Sequence, residues 1–309
     1  MPNDYLCTMG CSWIYIYFVA VSLITYLLLW RWQGKSSTRV LGIVTICLII
    51  YLGALVGLAN AWYGNDSIAS PHWFNDLGEW RYMDKLGHVF TAFTIVRFMY
   101  KVLKWAKCKP NVSIWLGAFL GFAFMCSIEV LDSMSPKYGA SLTDILANVC
   151  GTLIVVIQIK LFSKIKLMPK FGFQFSQFAV MRPSMLGGTW AEQALKDYNG
   201  QTYWYSMGLK DITNIKFIPG WLQVSVGVGA AGLLGGYENR WEQNGQTMEM
   251  LAVERLSEIY LSLDIDWEIL FTRYKWIRRC MFLANNFKTP LPTLKFSTGE
   301  GFSFYWLYF

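Results

Sequence analysis

Five apolar stretches, each about as long as a helix that crosses a lipid bilayer, constrain the fold of this chain most. They cover residues 12–30, 40–62, 86–106, 112–131 and 142–162. A helix needs about 20 residues to span the hydrocarbon core. Of the 309 residues, 54% are hydrophobic and only 15% are charged, whereas soluble domains carry about 25% charged residues. The sequence therefore predicts an α-helical membrane bundle of about five helices.

The basic residues in the connections predict how this bundle is oriented. The segments 31–39, 101–109 and 160–170 are rich in lysine and arginine, whereas the alternate connections contain only Arg81 and Lys137. By the positive-inside rule, the N-terminus lies outside and the chain after residue 163 lies in the cytoplasm. The net charge of +7 then reflects membrane topology, and no nucleic-acid partner is expected. Because no basic region precedes the first apolar stretch, we expect a retained helix there.

Beyond residue 170 the hydrophobic pattern changes from a helical period to a period of two. This alternation recurs at residues 171–175, 203–207, 222–228, 259–265 and 302–308. A period of two is typical of β-strands. The sequence therefore predicts a β-rich C-terminal domain of about six strands, interrupted by one short helix near 189–198. The predicted domains are an N-terminal anchor helix with a basic connection (1–39), a helical membrane core (40–165) and the β-rich domain (166–309).

An outer-membrane barrel is an alternative interpretation of the alternating strands, which end at the aromatic residue Phe309. The strands of such barrels alternate lipid-facing and lumen-facing residues, but the smallest of these barrels have 8 strands. Six strands are too few, and five apolar helices would be unusual in that membrane. An inner-membrane protein with a β-rich domain is therefore the favoured interpretation.

Polar residues at the ends of three apolar segments mark the candidate functional site. A charged residue at the centre of a bilayer costs about 2.5–3.5 kcal/mol on insertion scales. In the predicted topology all of these residues lie at the outer ends of their helices, so we expect one pocket that contains Asp84, His88, Glu129 and Asp144. The full set of candidates is Asp84, Lys85, His88, Glu129, Asp132, Asp144 and Asn148.

Simpler interpretations exist for some of these residues. Asp84 and His88 are four residues apart and share a helix face, but Asp84 is also a plausible helix cap. Asp132 is explained by a solvated helix end. Ser141 and Asp144 have the spacing of a capping box. Capping does not explain Asn148, which lies one turn further into the helix.

Three segments resemble the core of the VanZ-like superfamily and, more closely, the YfiM-type predicted envelope lipoproteins of unknown function. They are residues 83–88 (MDKLGH), 127–132 (SIEVLD) and 139–148 (GASLTDILAN). The longer form of that family is also similar at residues 182–187 (RPSMLG) and 195–204 (LKDYNGQTYW). The resemblance covers about 40–309 and implies a small helical core in the bacterial envelope, with the acidic and histidine residues at one end.

Two hypotheses for the function follow. In the first, the polar cluster binds a membrane lipid headgroup or an envelope protein partner. In the second, the chain is a membrane hydrolase or transferase that acts on a lipid-linked substrate. His88 is then a general base or metal ligand, Glu129 and Asp144 are metal ligands or acid and base, and Lys85 holds an anionic headgroup.

A divalent metal ion is a possible cofactor under the second hypothesis. The candidate ligands are Asp84, His88, Glu129, Asp132 and Asp144. Because the chain has only two histidines, such a site would be rich in carboxylates, which favours a hard or borderline divalent ion. The predicted location is the multi-pass inner membrane of a bacterial envelope, with export to the periplasm or outer membrane as the alternative.

Overall fold

The computed structural model describes residues 37–63, 68–243, 245–270 and 274–309. The helix predicted at 12–30 lies outside these residues. The chain divides into two compact units. The helical unit comprises the described residues up to Asp76 together with Thr91–Leu161, and the sheet unit comprises Leu77–Phe90 and Phe162–Phe309.

Four long helices occupy the first half of the chain. They are α1 (Ser37–Tyr63), α2 (Met83–Trp105), α3 (Pro110–Asp132) and α4 (Leu142–Phe162). The segments Glu79–Trp105, Pro110–Asp132 and Leu142–Phe162 are long and apolar enough to cross a membrane, and α1 contains the shorter apolar stretch Thr45–Ala59. The last four predicted helices are therefore confirmed as helices. Four, and not five, lie in the described part of the chain.

A pair of glycines allows α2 and α3 to pack closely. A Cβ atom added to Gly117 would lie 3.0 Å from the backbone nitrogen of Tyr100, and one added to Gly121 would lie 3.0 Å from that of Val96. Small residues four apart let helix backbones approach in this way. Gly53 and Gly57 on α1 have the same spacing, but no described atom lies within 4 Å of a Cβ added to either. The spacing therefore identifies a helix contact on α3 and not on α1.

The described part of the sheet unit contains eight strands. They are β1 (Leu167–Phe173), β2 (Gln201–Gly208), β3 (Leu222–Ala231), β4 (Arg240–Gln243), β5 (Gln246–Glu249), β6 (Leu256–Ile265), β7 (Leu291–Ser297) and β8 (Gly301–Tyr308). Six of them form an antiparallel sheet with the order β1-β2-β3-β6-β7-β8, and β4 and β5 form a separate hairpin. A β-rich domain of six strands was predicted, but β7 and the hairpin were not among the alternating segments.

Short helices connect these strands. They are α5 (Phe178–Met181), α6 (Pro183–Leu186), α7 (Trp190–Lys196), α8 (Leu209–Thr213), α9 (Trp267–Leu270) and α10 (Lys275–Ala284). The helix α7 confirms the one predicted near 189–198, whereas the other five short helices were not predicted. It begins with a capping box, in which Thr189 and Glu192 each accept a hydrogen bond from the other's backbone amide, an arrangement that satisfies two amide donors at a helix start.

The sheet is so strongly curled that strands far apart in its order approach each other. The ring of Tyr308 on β8 lies 4.7 Å from that of Tyr260 on β6 and 6.4 Å from that of Trp204 on β2. On the other side, the Phe171 amide of β1 donates to the Asn286 carbonyl at 2.8 Å. The segment before β7 therefore pairs with β1, and the curled sheet encloses an interior.

This interior is largely polar, although it also contains the buried ring of Trp204, and its charges are paired. Lys170 and Asp264 form an ion pair at 2.9 Å, and both side chains are fully buried. Lys295 pairs with Glu258 at 2.6 Å. The nearby lysines hold the pKa of Asp264 below its usual range although burial opposes this shift. A buried charge is tolerated only when it is paired and hydrogen-bonded, and the enclosed side of the sheet meets that condition.

Candidate functional site

A left-handed turn fixes the start of α2, the helix that carries the first three candidates. Trp80, Arg81 and Tyr82 have φ angles of 50°, 55° and 66°, a conformation that residues other than glycine rarely adopt. The Trp80 amide donates to the Gly236 carbonyl at 2.8 Å, and its ring lies 5.3 Å from that of Tyr198. Contacts within the sheet unit therefore hold this strained turn, as such conformations require.

Asp84 lies just after this turn and is held from two directions. Its Oδ1 accepts a hydrogen bond from the Tyr198 hydroxyl at 2.7 Å, and its Oδ2 accepts one from Lys85 Nζ at 2.9 Å. The side chain is 21% exposed, so the carboxylate is mostly buried but reachable. These contacts fix its orientation, which a simple helix cap would not require.

His88 lies one turn further along α2 and faces the same carboxylate. Its Nε2 is 3.8 Å from Asp84 Oδ1, and its side chain is 14% exposed. Two atoms that each bind one metal ion at about 2.0–2.2 Å lie no more than about 4.4 Å apart. Asp84 and His88 are therefore spaced such that one ion could bind both. Lys85, predicted to hold an anionic headgroup, donates to Asp84 in this structure.

Tyr198 is a site residue that the sequence analysis did not select, although it lies within a segment quoted for the resemblance. Its loop is fixed by Asn199, whose side-chain nitrogen donates to the Leu233 carbonyl at 2.8 Å and whose side-chain oxygen accepts from the Leu233 amide at 2.6 Å. Asp197 accepts from the Asn199 backbone at 3.1 Å. Burial raises the pKa of Asp197. This loop is thus rigidly positioned, as a residue that orients Asp84 requires.

In the helical unit, Glu129 and Ser141 connect the end of α3 to the start of α4. The Ser141 amide donates to Glu129 Oε2 at 3.1 Å, and the Ser141 hydroxyl accepts from the Asp144 amide at 3.2 Å. The predicted capping box is therefore present only in part, because Glu129 and not Asp144 receives the Ser141 amide. Glu129 is 3% exposed, and this contact gives it a structural role.

Asp76 is a second residue that sequence analysis missed. Its Oδ1 accepts hydrogen bonds from the hydroxyls of Ser141 at 2.5 Å and Thr143 at 2.7 Å. The segment that ends at Asp76 runs beside the connection between α3 and α4, with backbone hydrogen bonds that include Phe74 to Ala140 at 2.9 Å. The connections at this end of the helices are therefore held together by both backbone and side-chain bonds.

The remaining candidates occupy different environments in the helical unit. Asp144 is 4% exposed and Asn148, one turn further along α4, is fully buried. Asp132 is the last residue of α3 and is half-buried. The structure thus brings Glu129 to the start of α4 and, in the sheet unit, brings Asp84, Lys85 and His88 together around Tyr198. The predicted common pocket for both groups stays a prediction.

Comparison with known proteins gives one match. Residues 71–160 match the model of a family described as predicted periplasmic lipoprotein (DUF2279). All seven candidate residues lie within this match, which covers less than a third of the chain. It supports the coarser prediction of an envelope protein of uncharacterised role. The finer resemblance to YfiM-type proteins and the VanZ-like superfamily stays an expectation. No curated protein and no solved structure matches the chain.

Proposed function

We propose that this chain is a multi-pass membrane protein of the bacterial envelope that binds a membrane lipid headgroup through Asp84, Lys85 and His88. The orientation of Asp84 by Tyr198 carries the proposal, because a carboxylate held from two sides while still reachable is suited to binding. Lys85 and His88 add groups that attract a phosphate, and the Asp84 carboxylate complements an amine. An envelope protein partner with the same charges is an alternative ligand.

The proposal also includes Asp144. In the predicted topology it lies at the outer end of its helix, as do Asp84 and His88. Asp144 is 4% exposed, and its carboxylate is a ligand type that hard divalent ions prefer.

A metal-dependent hydrolase or transferase acting on a lipid-linked substrate is the second candidate function. The 3.8 Å separation between His88 Nε2 and Asp84 Oδ1 favours it, because a carboxylate and an imidazole at this spacing fit one divalent ion. Tyr198 would then orient the metal ligand Asp84 through its hydrogen bond, as residues that hydrogen-bond to metal ligands do in metal sites. With Asp144 as a further ligand, the ion would activate water or polarise a phosphoryl oxygen.

The two functions are separated by binding measurements on the purified full-length chain in detergent. Headgroup binding predicts that phosphatidylethanolamine, whose headgroup carries both a phosphate and an amine, binds without added metal and that His88→Gln and Asp84→Asn weaken this binding. The metal-dependent function predicts about one Mn²⁺ or Zn²⁺ per chain, lost in His88→Gln, Asp84→Asn and Asp144→Asn. If the wild-type chain binds neither lipid nor metal, both functions are wrong.

The chain offers matched controls for these variants. His72, the other histidine, is exposed and lies near Ser70 in the helical unit, so His72→Gln should change neither binding. Glu242 is exposed on β4, so Glu242→Gln controls for the loss of a carboxylate. An equal loss of binding in these controls would show that the effect of the site variants is not local.

A further inference from the structure

One face of the six-stranded sheet is apolar and exposed, although sheets normally bury such a face. Nine side chains on β3, β6, β7 and β8 form this face, with exposed fractions from 40% to 82%. We call it the outer face. Its members are Val226, Ile259, Leu261, Leu263, Leu294, Phe296, Phe302, Phe304 and Trp306.

Strand register makes the outer face continuous. Ile259 pairs with Phe296, which pairs with Phe302; in the next row Leu261 pairs with Leu294. Directly paired residues on one face have Cβ atoms about 4.5–5.5 Å apart, so these side chains touch across the strands. A continuous exposed apolar surface on this scale marks an interaction site.

The residues that alternate with the outer face point into the enclosed interior and are polar. Ser262 and Asp264 alternate with Leu261 and Leu263 on β6 and are almost fully buried. Antiparallel sheets in water have the opposite arrangement, with apolar side chains inside and polar ones outside. Because the interior charges are paired, as Lys170 and Asp264 are, this inversion is a stable feature of the fold.

The two ends of the sheet carry opposite charge. At the end where β2 and β6 finish, Lys210, Lys216 and Arg278 are exposed, together with Phe217 at 88% and Trp276 at 68%. At the other end, the exposed charged groups include those of Glu254 and Glu300. Cationic residues beside exposed aromatic ones complement an anionic lipid surface.

We propose that the outer face lies against the acyl chains of one leaflet of an anionic bilayer, with the basic end at the headgroups. Alternate residues along a strand are about 6.8 Å apart, so the three rows of the outer face are about 14 Å tall. That height matches one leaflet, because the whole hydrocarbon core is about 30 Å thick. This contact is separate from the headgroup binding proposed for Asp84 and His88.

Photocrosslinking of the full-length chain tests the contact directly. The chain is reconstituted in nanodiscs of phosphatidylglycerol and phosphatidylethanolamine, with p-benzoylphenylalanine in place of Phe304 or Leu261. Phe175 is the matched control, because it is 68% exposed but follows β1 outside the outer face. Adducts are identified by mass spectrometry after irradiation. We expect lipid adducts from positions 304 and 261 in severalfold higher yield than from position 175.

Other occupants of the outer face give different products. Crosslinks from 304 and 261 to a second copy, to residues 1–36 or to another protein would overturn the proposal, as would lipid yields equal to that at 175. The two labelled positions lie on different strands, so a folding defect at one leaves the other as a test.

A second variant tests the basic end of the sheet. The double variant Lys216→Glu and Arg278→Glu should give a lower yield of lipid adducts than the wild-type chain in phosphatidylglycerol nanodiscs, but the same yield as the wild-type chain in phosphatidylcholine nanodiscs. A variant that matches the wild-type yield in phosphatidylglycerol nanodiscs as well would contradict the role of the basic end.

Discussion

The Glu129 carboxylate lies 3.1 Å from the backbone nitrogen of Ser141 and so completes, from the end of α3, the cap of α4. In a capping box the third residue of the helix accepts this amide, and here that residue is Asp144. In this structure Glu129, from the preceding helix, accepts the Ser141 amide instead. The cap therefore depends on how α3 and α4 are connected and not on α4 alone.

Glu129→Ala should lower the free energy of unfolding by about 1–3 kcal/mol, since it leaves the buried Ser141 amide without an acceptor. Glu129→Gln keeps an oxygen in the same place and should cost clearly less. Thermal unfolding of the purified chain in detergent measures both. Equal losses of unfolding free energy in the two variants would mean that the charge of Glu129 stabilises the fold and that its hydrogen bond to Ser141 does not.

Tyr198→Phe should weaken binding of a divalent ion at Asp84 and His88 by about 10-fold to 100-fold, the usual effect of removing a hydrogen bond to a metal ligand. The phenyl ring retains the contact with Trp80, so stability should change little. Isothermal titration calorimetry with Mn²⁺ or Zn²⁺ measures the affinity. Tyr305→Phe on β8 is the control. An unchanged affinity in Tyr198→Phe would mean that the Tyr198 hydroxyl does not contribute to metal binding.

Lys288 makes the stability of the sheet unit depend on pH in the alkaline range. Burial lowers the pKa of Lys288 from 10.5 to about 8. Between these two values the unfolded chain binds more protons than the folded chain, so the free energy of unfolding rises with pH. The slope contributed by one group does not exceed about 1.4 kcal/mol per pH unit.

Lys288→Met should remove this contribution. The wild-type chain should therefore gain stability relative to the variant as the pH rises from 8 to 9.5, as measured by denaturant unfolding. The range stays below pH 10, above which tyrosines ionise in the unfolded state. A stability difference between the two chains that is constant over this range would show that Lys288 stays protonated in the fold.

Gly121→Leu should destabilise the helical unit strongly, because a Cβ atom at this position would lie 3.0 Å from the Val96 backbone nitrogen. Gly57→Leu introduces the same side chain on α1, where no described atom lies within 4 Å, and should be tolerated. Melting temperatures in detergent compare the two. Similar losses would indicate that α1 also packs through its glycines.

The predicted topology places Phe309 in the cytoplasm and the 63–83 connection outside, because basic residues are concentrated in alternate connections. Reporter fusions at both positions measure this in cells. A fusion after Phe309 that reports from outside would contradict the inner-membrane orientation and favour the exported alternative.

The helices were predictable because length and hydropathy are local properties of the sequence. The stretch predicted at 142–162 is α4 with the same bounds, and 112–131 lies within α3. The start of α2 was placed three residues late, at 86 and not Met83, because contacts of Trp80 with residues of the sheet unit determine it. No local pattern contains that information.

The residues that the sequence analysis missed have partners far away in the chain, which a local sequence pattern does not reveal. The partners of Asp76, Ser141 and Thr143, are 65 and 67 residues away. On β7, Lys295 interrupts the apolar pattern between Leu294 and Phe296, but it pairs with Glu258 of β6 at 2.6 Å. A lysine in a strand indicates an exposed position until its partner is known, so the polar interior could not be inferred from the sequence.

The polar interior also has a consequence for how the protein is made and handled. A sheet that encloses its charges and presents leucine, isoleucine and phenylalanine to its surroundings attracts other apolar surfaces as soon as it forms. Newly synthesised chains would then need shielding from water until the sheet reaches its final location, by a chaperone in the cell and by detergent in the laboratory.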